Sequence, residues 1–247
     1  MTPLRVFSTN MTANGKLLKL PRIEVSMTNM KTESPARPYR QTSRAESAAA
    51  TGRRIVEAFL NRLREQWYDE ITLDQVAGDA SVTVQTVVRR FGGKSGLLAE
   101  AIRAMVRCAE ERRATPPGDP EQLVRNLVGD YERTGDTIIR LLALEQRHAT
   151  LRKHLALGRR RHRDWIARMF AEELKPLGAK ARQAALDTLV VTTDVYTWKL
   201  LRRDMGRGVA ATETTMTGMI RSTIAAYSSA EGASRVGESA GSALDER

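Results

Sequence analysis

The chain has 247 residues, 28% of them charged and 41% hydrophobic, and its formal net charge is +11. This length allows more than one domain, and the excess of positive charge favours an acidic partner such as nucleic acid. No stretch approaches the roughly 18 apolar residues that a membrane-spanning helix needs, so we expect no membrane partner.

The first 50 residues are predicted to form a disordered basic leader. Residues 1–54 contain ten Lys or Arg and three Asp or Glu, which gives +7, whereas residues 55–115 contain nine of each kind. Within the first 50 residues, the apolar residues show no regular period. A basic arm of this type can follow the phosphates of DNA, and internal methionines leave open where translation begins. The leader lacks the apolar core of a secretory signal, so we expect a cytoplasmic, nucleoid-associated protein.

Residues 51–94 carry the signals of three short helices around one small core. A first apolar stripe is followed by Thr72 and Gln75, which have the spacing of a capping box. Thr83 is a second N-cap candidate, and Gly92-Gly93 would end the helix that Thr83 starts. The apolar positions of the three helices recur at helical spacing: Ile55, Val56, Phe59, Leu60, Leu63 and Trp67; Leu73, Val76, Ala77 and Ala80; Val84, Val87, Val88 and Phe91. The layout predicts a helix-turn-helix DNA-binding domain.

This segment resembles the DNA-binding head of the TetR family (TetR/AcrR type) of bacterial transcriptional regulators. The residues that match the pattern of the family are Phe59, Tyr68, Thr72, Val76-Ala77, Ala80, Val82, Thr83, Thr86, Phe91 and Lys94. Three residues depart from it. Ser81 stands where the family usually has glycine, so a left-handed turn there would cost about 1 kcal/mol. Val88 replaces a tyrosine, and Arg90 replaces a common His or Tyr.

The start of the third helix is predicted to read DNA. We expect Thr83, Val84, Gln85 and Thr86 to approach base edges, where Gln85 can pair with adenine and the apolar groups suit a thymine methyl. Arg89 and Arg90 are long enough for guanine or phosphate, and Val88 lies between the two sets. The candidate phosphate contacts are Arg53, Arg54, Thr72 and Lys94. A merely solvated helix face remains the alternative for Gln85, Arg89 and Arg90.

Residues 95–228 are predicted to form a connecting helix and a larger helical domain. The connecting helix should run from Ser95 to about Thr115, where a proline-rich stretch stops it. Helices are then expected over 120–134, 136–147, 149–155, 159–175, 178–204 and 210–228, with breaks at Gly135, Gly158, 176–178 and 206–208. The tail 229–247 should be disordered. The single cysteine, Cys108, is expected to pack in the interior. The expected fold class is all-α.

The last two long helices have wide apolar faces with small residues. The resemblance implies that they form a homodimer interface, so that two reading heads meet a palindromic site in double-stranded DNA. The alternative is that they complete a monomeric core. The resemblance also implies a small-molecule effector site in the larger domain, and we single out Tyr131, Trp165, Met169 and Trp198 as ligand-binding candidates, although helical spacing would suit most of them for the core.

The remaining sequence patterns do not indicate a catalytic, phosphate-binding or metal-binding site. The segment Gly92-Gly93-Lys94-Ser95 lacks the rest of a phosphate-binding loop, and His148, His154 and His162 have no recognised metal-ligand spacing. We therefore predict no catalytic residue, no metal site and no cofactor. The basic run 159–163 is interpreted as a solvated face, with attraction of an acidic ligand as the alternative.

The sequence predicts a sequence-specific DNA-binding transcriptional regulator. We expect it to be a homodimeric repressor that a ligand releases from DNA. One rival is a ligand-independent DNA-binding activator or architectural protein. A second is an enzyme or scaffold whose head-like segment is only a helical bundle.

Overall fold

The structure is a computed structural model that describes residues 37–242, with side chains for residues 45–229. Its chain contacts divide into two units, Met1–Arg44 and Ala45–Arg247, and all side-chain interactions below belong to the second. Every regular element in the described part is a helix, which confirms the all-α prediction. The first five elements are α1 (Arg37–Glu65), a 3-10 turn (Tyr68–Glu70), α2 (Leu73–Asp79), α3 (Val84–Phe91) and α4 (Lys94–Arg112).

The second part of the chain is also helical. It contains α5 (Pro120–Ala143), α6 (Ala149–Met169), α7 (Ala171–Leu174), α8 (Ala179–Thr192), α9 (Val195–Lys199), a π-helical turn (Leu200–Asp204) and α10 (Val209–Ser242). Among the helices of residues 37–242, none combines the length and the apolar character that crossing a bilayer requires.

Both outer boundaries of the helical region differ from the predicted ones. α1 begins at Arg37, within the predicted leader, and α10 continues to Ser242, within the predicted tail. Extending an existing helix needs no new nucleation, and Ala48-Ala49-Ala50 are strong helix formers, so the helical signal reaches beyond the apolar stripe. Residues 1–36 and 243–247, which the disorder predictions also cover, lie outside the described residues.

Two of the predicted breaks do not occur. α5 runs through Gly135 and α6 runs through Gly158. A Cβ atom on Gly135 would collide with the indole ring of Trp198, so this glycine allows α9 to pack closely on α5. A break that the sequence prediction missed separates α8 from α9, where the Asp194 side chain accepts a hydrogen bond from the amide of Tyr196 at 2.9 Å. The breaks at 176–178 and 206–208 are confirmed.

The buried side chains form two clusters. The first lies in residues 51–94 and α4, and it includes Leu141 and Leu144 at the end of α5 and Leu151 of α6. The second joins α5, α6, α8, α9 and α10 around Trp198, which is fully buried. The first core therefore continues across the predicted boundary at residues 94 and 95, and the three-helix head packs directly on the rest of the protein.

Two side chains lie on the surface where the sequence pattern suggested the interior. α1 ends at Glu65, so Trp67 falls beyond the helix and is 42% exposed, while the adjacent Tyr68 is buried. Cys108 is exposed on α4, and the prediction that it packs inside is wrong. The buried side chains of α4 come from its first half, because the helix leaves the head core before it reaches Cys108.

Candidate nucleic-acid interface

The turn between α2 and α3 is fixed by local hydrogen bonds. Thr72 Oγ1 accepts from the amide of Gln75 at 3.2 Å, and Gln75 Oε1 accepts from the amide of Thr72 at 2.9 Å, which confirms the predicted capping box. At the other end of α2, the amide of Val82 donates to Ala77 O and the amide of Ser81 donates to Gly78 O. This double closure is a Schellman motif, so the exit from α2 has one defined direction.

Ser81 occupies the left-handed position of this turn, with φ of 52°. The unusual serine therefore adopts the conformation that glycine would adopt more easily, and it costs about 1 kcal/mol. Because the chain keeps the turn in spite of this cost, the angle between α2 and α3 is set by the surrounding hydrogen bonds and packing.

α3 is held on the head by one face. Thr83 Oγ1 accepts from the amide of Thr86 at 3.2 Å, which confirms the N-cap. Val87 is fully buried, and the partly buried Val84 and Phe91 pack against the same core. Gly92, with φ of 73°, ends the helix. α3 is thus a short rod with a fixed inner face.

The outer face of α3 carries the side chains that could read bases. Gln85, Val88 and Arg89 are exposed, and their i, i+3, i+4 spacing places them on one stripe. Val84 and Thr86, which the sequence predicted beside Gln85, are half-buried, and the Thr86 hydroxyl lies 3.0 Å from that of Thr83. Gln85, Val88 and Arg89 therefore lie at the centre of the outer face of α3, and Val84 and Thr86 lie at its edge.

The predicted phosphate contacts are found in two kinds of surroundings. Arg53, Arg54 and Thr72 are exposed. Lys94 is half-buried: its Nζ donates to Asp69 O at 3.2 Å and lies 4.5 Å from the centre of the Tyr68 ring. Burial lowers the pKa of the Lys94 ammonium, and the nearby Asp69 carboxylate opposes that shift. Lys94 therefore also anchors the 3-10 turn inside the head.

The head is attached to the larger half by polar contacts that the sequence analysis did not identify. Arg140 of α5 donates from Nη2 to Leu63 O at 2.9 Å and to Arg64 O at 2.5 Å, so it caps the carboxyl end of α1. His148 Nε2 lies 2.6 Å from Asp69 Oδ1. These partners are separated by more than seventy residues in the chain, and no local pattern indicates them.

The four predicted ligand-binding residues lie around the second core. Tyr131, Met169 and Trp198 are buried, and Trp165 is half-buried. The Tyr131 hydroxyl donates to Thr193 O at 3.0 Å, and Trp198 Nε1 donates to Glu132 Oε1 at 2.8 Å. The polar atoms of Tyr131 and Trp198 are thus already paired inside the protein.

Two cavities are lined by other residues. One, of about 480 Å³, lies between the start of α8 and Tyr227 of α10. The other, of about 500 Å³, lies in the head between α1, the end of α3 and α4. Neither cavity is lined by Tyr131, Trp165, Met169 or Trp198.

A buried polar cluster joins the end of α4 to the larger half. Asp130 is 1% exposed, and its two carboxylate oxygens each accept a hydrogen bond at 2.7 Å, one from Arg112 Nε and one from Arg113 Nε. Nearby, His162 Nε2 lies 3.0 Å from Thr193 Oγ1, while its Nδ1 has no partner among the described residues. Burial, assisted by the charge of Arg113, lowers the pKa of His162 from 6.5 to about 4, so the imidazole is neutral near pH 7.

The basic run 159–163 is largely neutralised by carboxylates of other elements. Arg159 forms a two-pronged pair with Glu145, and Arg163 Nη1 lies 2.6 Å from Asp187 Oδ1. Because these guanidinium groups are already engaged, the structure favours the interpretation as a solvated face over that of an anion-attracting patch.

The surface of the last helices carries a group of exposed large apolar side chains. Tyr196 is 56% exposed and Leu200 51%. The other members are Val191, Met205, Val209 and Met219. These six residues belong to consecutive elements from α8 to α10. In the described part of the chain, no group of three or more His, Cys, Asp or Glu side chains is placed to hold a metal ion.

Comparisons with known proteins agree with this architecture. The sequence matches no protein-family model and none of the curated proteins. Among solved structures, a transcriptional regulator from Rhodococcus sp. Rha1 superposes with a TM-score of 0.58 at 15% identity, over 71% of this chain and 96% of that one. A TetR-family transcriptional regulator from Streptomyces coelicolor gives 0.56 at 16% identity, over 75% of this chain and 86% of that one. The chain therefore has the fold of the TetR-family transcriptional regulators, the family that its helix-turn-helix segment resembles.

Proposed function

We propose that this protein is a sequence-specific DNA-binding transcriptional regulator. The observation that carries the proposal is the outer face of α3. Gln85, Val88 and Arg89 project from a helix whose opposite face is locked by Val87 and by the Thr83 cap. A rigid helix that exposes both polar and apolar side chains on one stripe is suited to contact base edges in the major groove. The structural neighbours, which are transcriptional regulators, support the same function.

We further propose that the protein acts as a homodimer. Two recognition helices can read a palindromic site only if one contact surface holds them about one DNA turn apart. The exposed apolar group from Val191 to Met219 is the surface that we assign to this contact. It belongs to α8–α10, the same part of the chain to which the sequence resemblance assigned dimerisation.

We also propose that binding of a small molecule releases the protein from DNA. The end of α4 meets the buried pair of Asp130 with Arg112 and Arg113, close to His162, so a change in this region would be transmitted along α4 to the head. A repressor role follows if binding blocks transcription.

One observation favours the second candidate, a ligand-independent DNA-binding activator or architectural protein. Tyr131 and Trp198 are fully packed and have their polar groups paired. A chain that works without an effector needs no cavity at these side chains.

The test of DNA reading is selection of bound duplexes from a random library by the purified full chain, followed by binding measurements on the consensus and on a random duplex. We expect a palindromic consensus. Gln85→Ala should lose about 1–3 kcal/mol on the consensus and little on random duplex. Gln146→Ala, at an exposed glutamine in the turn before α6, is the matched control and should bind as the wild type does.

Two outcomes would contradict the proposal. A chain that binds no duplex at low salt is not a DNA-binding regulator. An equal loss for Gln85→Ala on consensus and random duplex would remove base reading from the outer face of α3. If the chain does bind DNA, a thermal-shift screen of small apolar acids and drugs would distinguish the ligand-released regulator from the ligand-independent one.

A further inference from the structure

The guanidinium group of Arg90, near the end of α3, packs against Gly52 in α1. A Cβ atom built on Gly52 would lie 2.6 Å from Arg90 Cζ, and it would also overlap Nε and Nη2. Real Cβ atoms do not approach so closely, so the present position of Arg90 depends on the missing side chain at residue 52.

Gly52 has no other evident reason to be glycine. It lies inside a continuous helix, α1, where its backbone needs no special φ angle. A glycine in a helix interior costs about 1 kcal/mol relative to alanine. The contact with Arg90 is the feature of the described structure that accounts for this cost.

Arg90 is placed beside the base-reading stripe and not on it. Arg89 continues the line of Gln85 and Val88, whereas Arg90 is the next residue around the helix and turns towards α1, 5.9 Å from the centre of the Phe91 ring. Arg90 is exposed, and no carboxylate among the described side chains forms an ion pair with it. Next to Gly52, Arg53 is exposed as well. Arg53 and Arg90 thus place two guanidinium groups at the border of α1 and α3, beside a cavity that Glu57 also lines.

We propose that Gly52 is a positioning residue, which seats the Arg90 guanidinium on α1 so that it binds a backbone phosphate of the DNA that α3 reads. The inference rests on the proposed DNA-binding function. It assigns Arg90 to a contact with the DNA phosphates and leaves base reading to Gln85, Val88 and Arg89. A guanidinium held in a fixed orientation can donate two parallel hydrogen bonds to a phosphate, and it loses less conformational freedom on binding.

The experiment measures binding of the full-length protein to its selected duplex across a series of salt concentrations. The variants are Gly52→Ala, Arg90→Ala and the double variant, with Gly78→Ala as the control. Gly78 is also a helical glycine of the head, but open space surrounds the position of its Cβ. Thermal unfolding of each variant is recorded in parallel, and Arg90→Ala, which leaves Gly52 unchanged, tests the phosphate contact if Gly52→Ala folds poorly.

We expect Gly52→Ala to fold at least as stably as the wild type, because only the flexible end of Arg90 must move. Its affinity should fall about tenfold, as for loss of one charge-assisted hydrogen bond. The slope of log affinity against log salt should decrease by about 1, as for Arg90→Ala. The double variant should lose no more than either single variant, because both changes remove the same contact. Gly78→Ala should retain the affinity and the slope of the wild type.

Two results would overturn the inference. One is wild-type affinity and salt slope in Gly52→Ala. The other is losses that add up in the double variant, which would show that the two residues act separately. Both results leave DNA binding itself intact. A wild-type chain that binds no duplex overturns the proposed function together with this inference, so the two failures are distinguishable.

Discussion

Replacing Gly135 by alanine tests whether this glycine serves close packing or helix termination. A methyl group at position 135 would lie 2.5 Å from Cη2 and 2.8 Å from Cε3 of the Trp198 ring, well inside van der Waals contact. Trp198 is fully buried, and its Nε1 is hydrogen-bonded to Glu132, so the ring cannot move freely outwards. Overpacking of this kind costs about 1–3 kcal/mol, and disturbing the hydrogen bond adds about 1 kcal/mol. Alanine returns about 1 kcal/mol of helix propensity. We therefore expect a net loss of about 2 kcal/mol.

Gly129 supplies the matched control within the same helix. It lies in α5, and a Cβ atom there would meet nothing within 4 Å. Gly129→Ala should therefore raise the stability by up to about 1 kcal/mol. In thermal unfolding at equal protein concentration, the two variants should differ by about 6–12 °C, at roughly 2–4 °C per kcal/mol for a chain of this size. If Gly135→Ala were as stable as Gly129→Ala, the close approach of Trp198 to α5 would be refuted.

Two further predictions concern pH and assembly. The unfolded imidazole of His162 binds a proton below pH 6.5, but the folded one does so only below about 4, so the unfolded state holds more protons in that window and stability falls as the pH decreases. Wild type should lose about 2 kcal/mol more than His162→Gln between pH 7 and pH 5 in urea titrations, and equal losses would contradict the buried neutral imidazole. Leu200→Glu should convert a dimer into a 27.5 kDa monomer in light scattering, whereas Leu157→Glu, at an apolar residue of similar exposure on α6, should not. A dimer that survives Leu200→Glu would exclude this surface as the interface.

The features that the sequence predicted correctly depend on a few neighbouring residues. The capping box of Thr72 and Gln75, the cap at Thr83 and the left-handed turn at Ser81 are each closed within about five residues of the chain. The resemblance to the TetR family rested on the same segment, which explains why the fold class could be predicted. The cap of α9 by Asp194 is equally local, and its signal in the sequence is an aspartate directly before a helical stretch.

The features that the sequence did not predict depend on distant partners. Gly135 looks like a helix breaker until Trp198 is placed against it. Arg140 looks like a solvated arginine until the end of α1 is brought to it. The proposed division of roles between Arg89 and Arg90 likewise depends on the position of α1. In each case the local pattern leaves two interpretations open, and the tertiary contact decides between them.

The connecting helix α4 is held by different interactions at its two ends, apolar packing at the first and charged hydrogen bonds at the second. Its first half is fixed in the head by the buried Leu97, Leu98 and Ala101, and its last turn is fixed by the carboxylate of Asp130. At 1.5 Å per residue, its 19 residues measure about 28 Å. The helix therefore links the buried carboxylate of Asp130 to the head core by one continuous element. A displacement of Asp130 would therefore reach the head by two routes, along α4 and through the direct contacts of α5 and α6 with the head core.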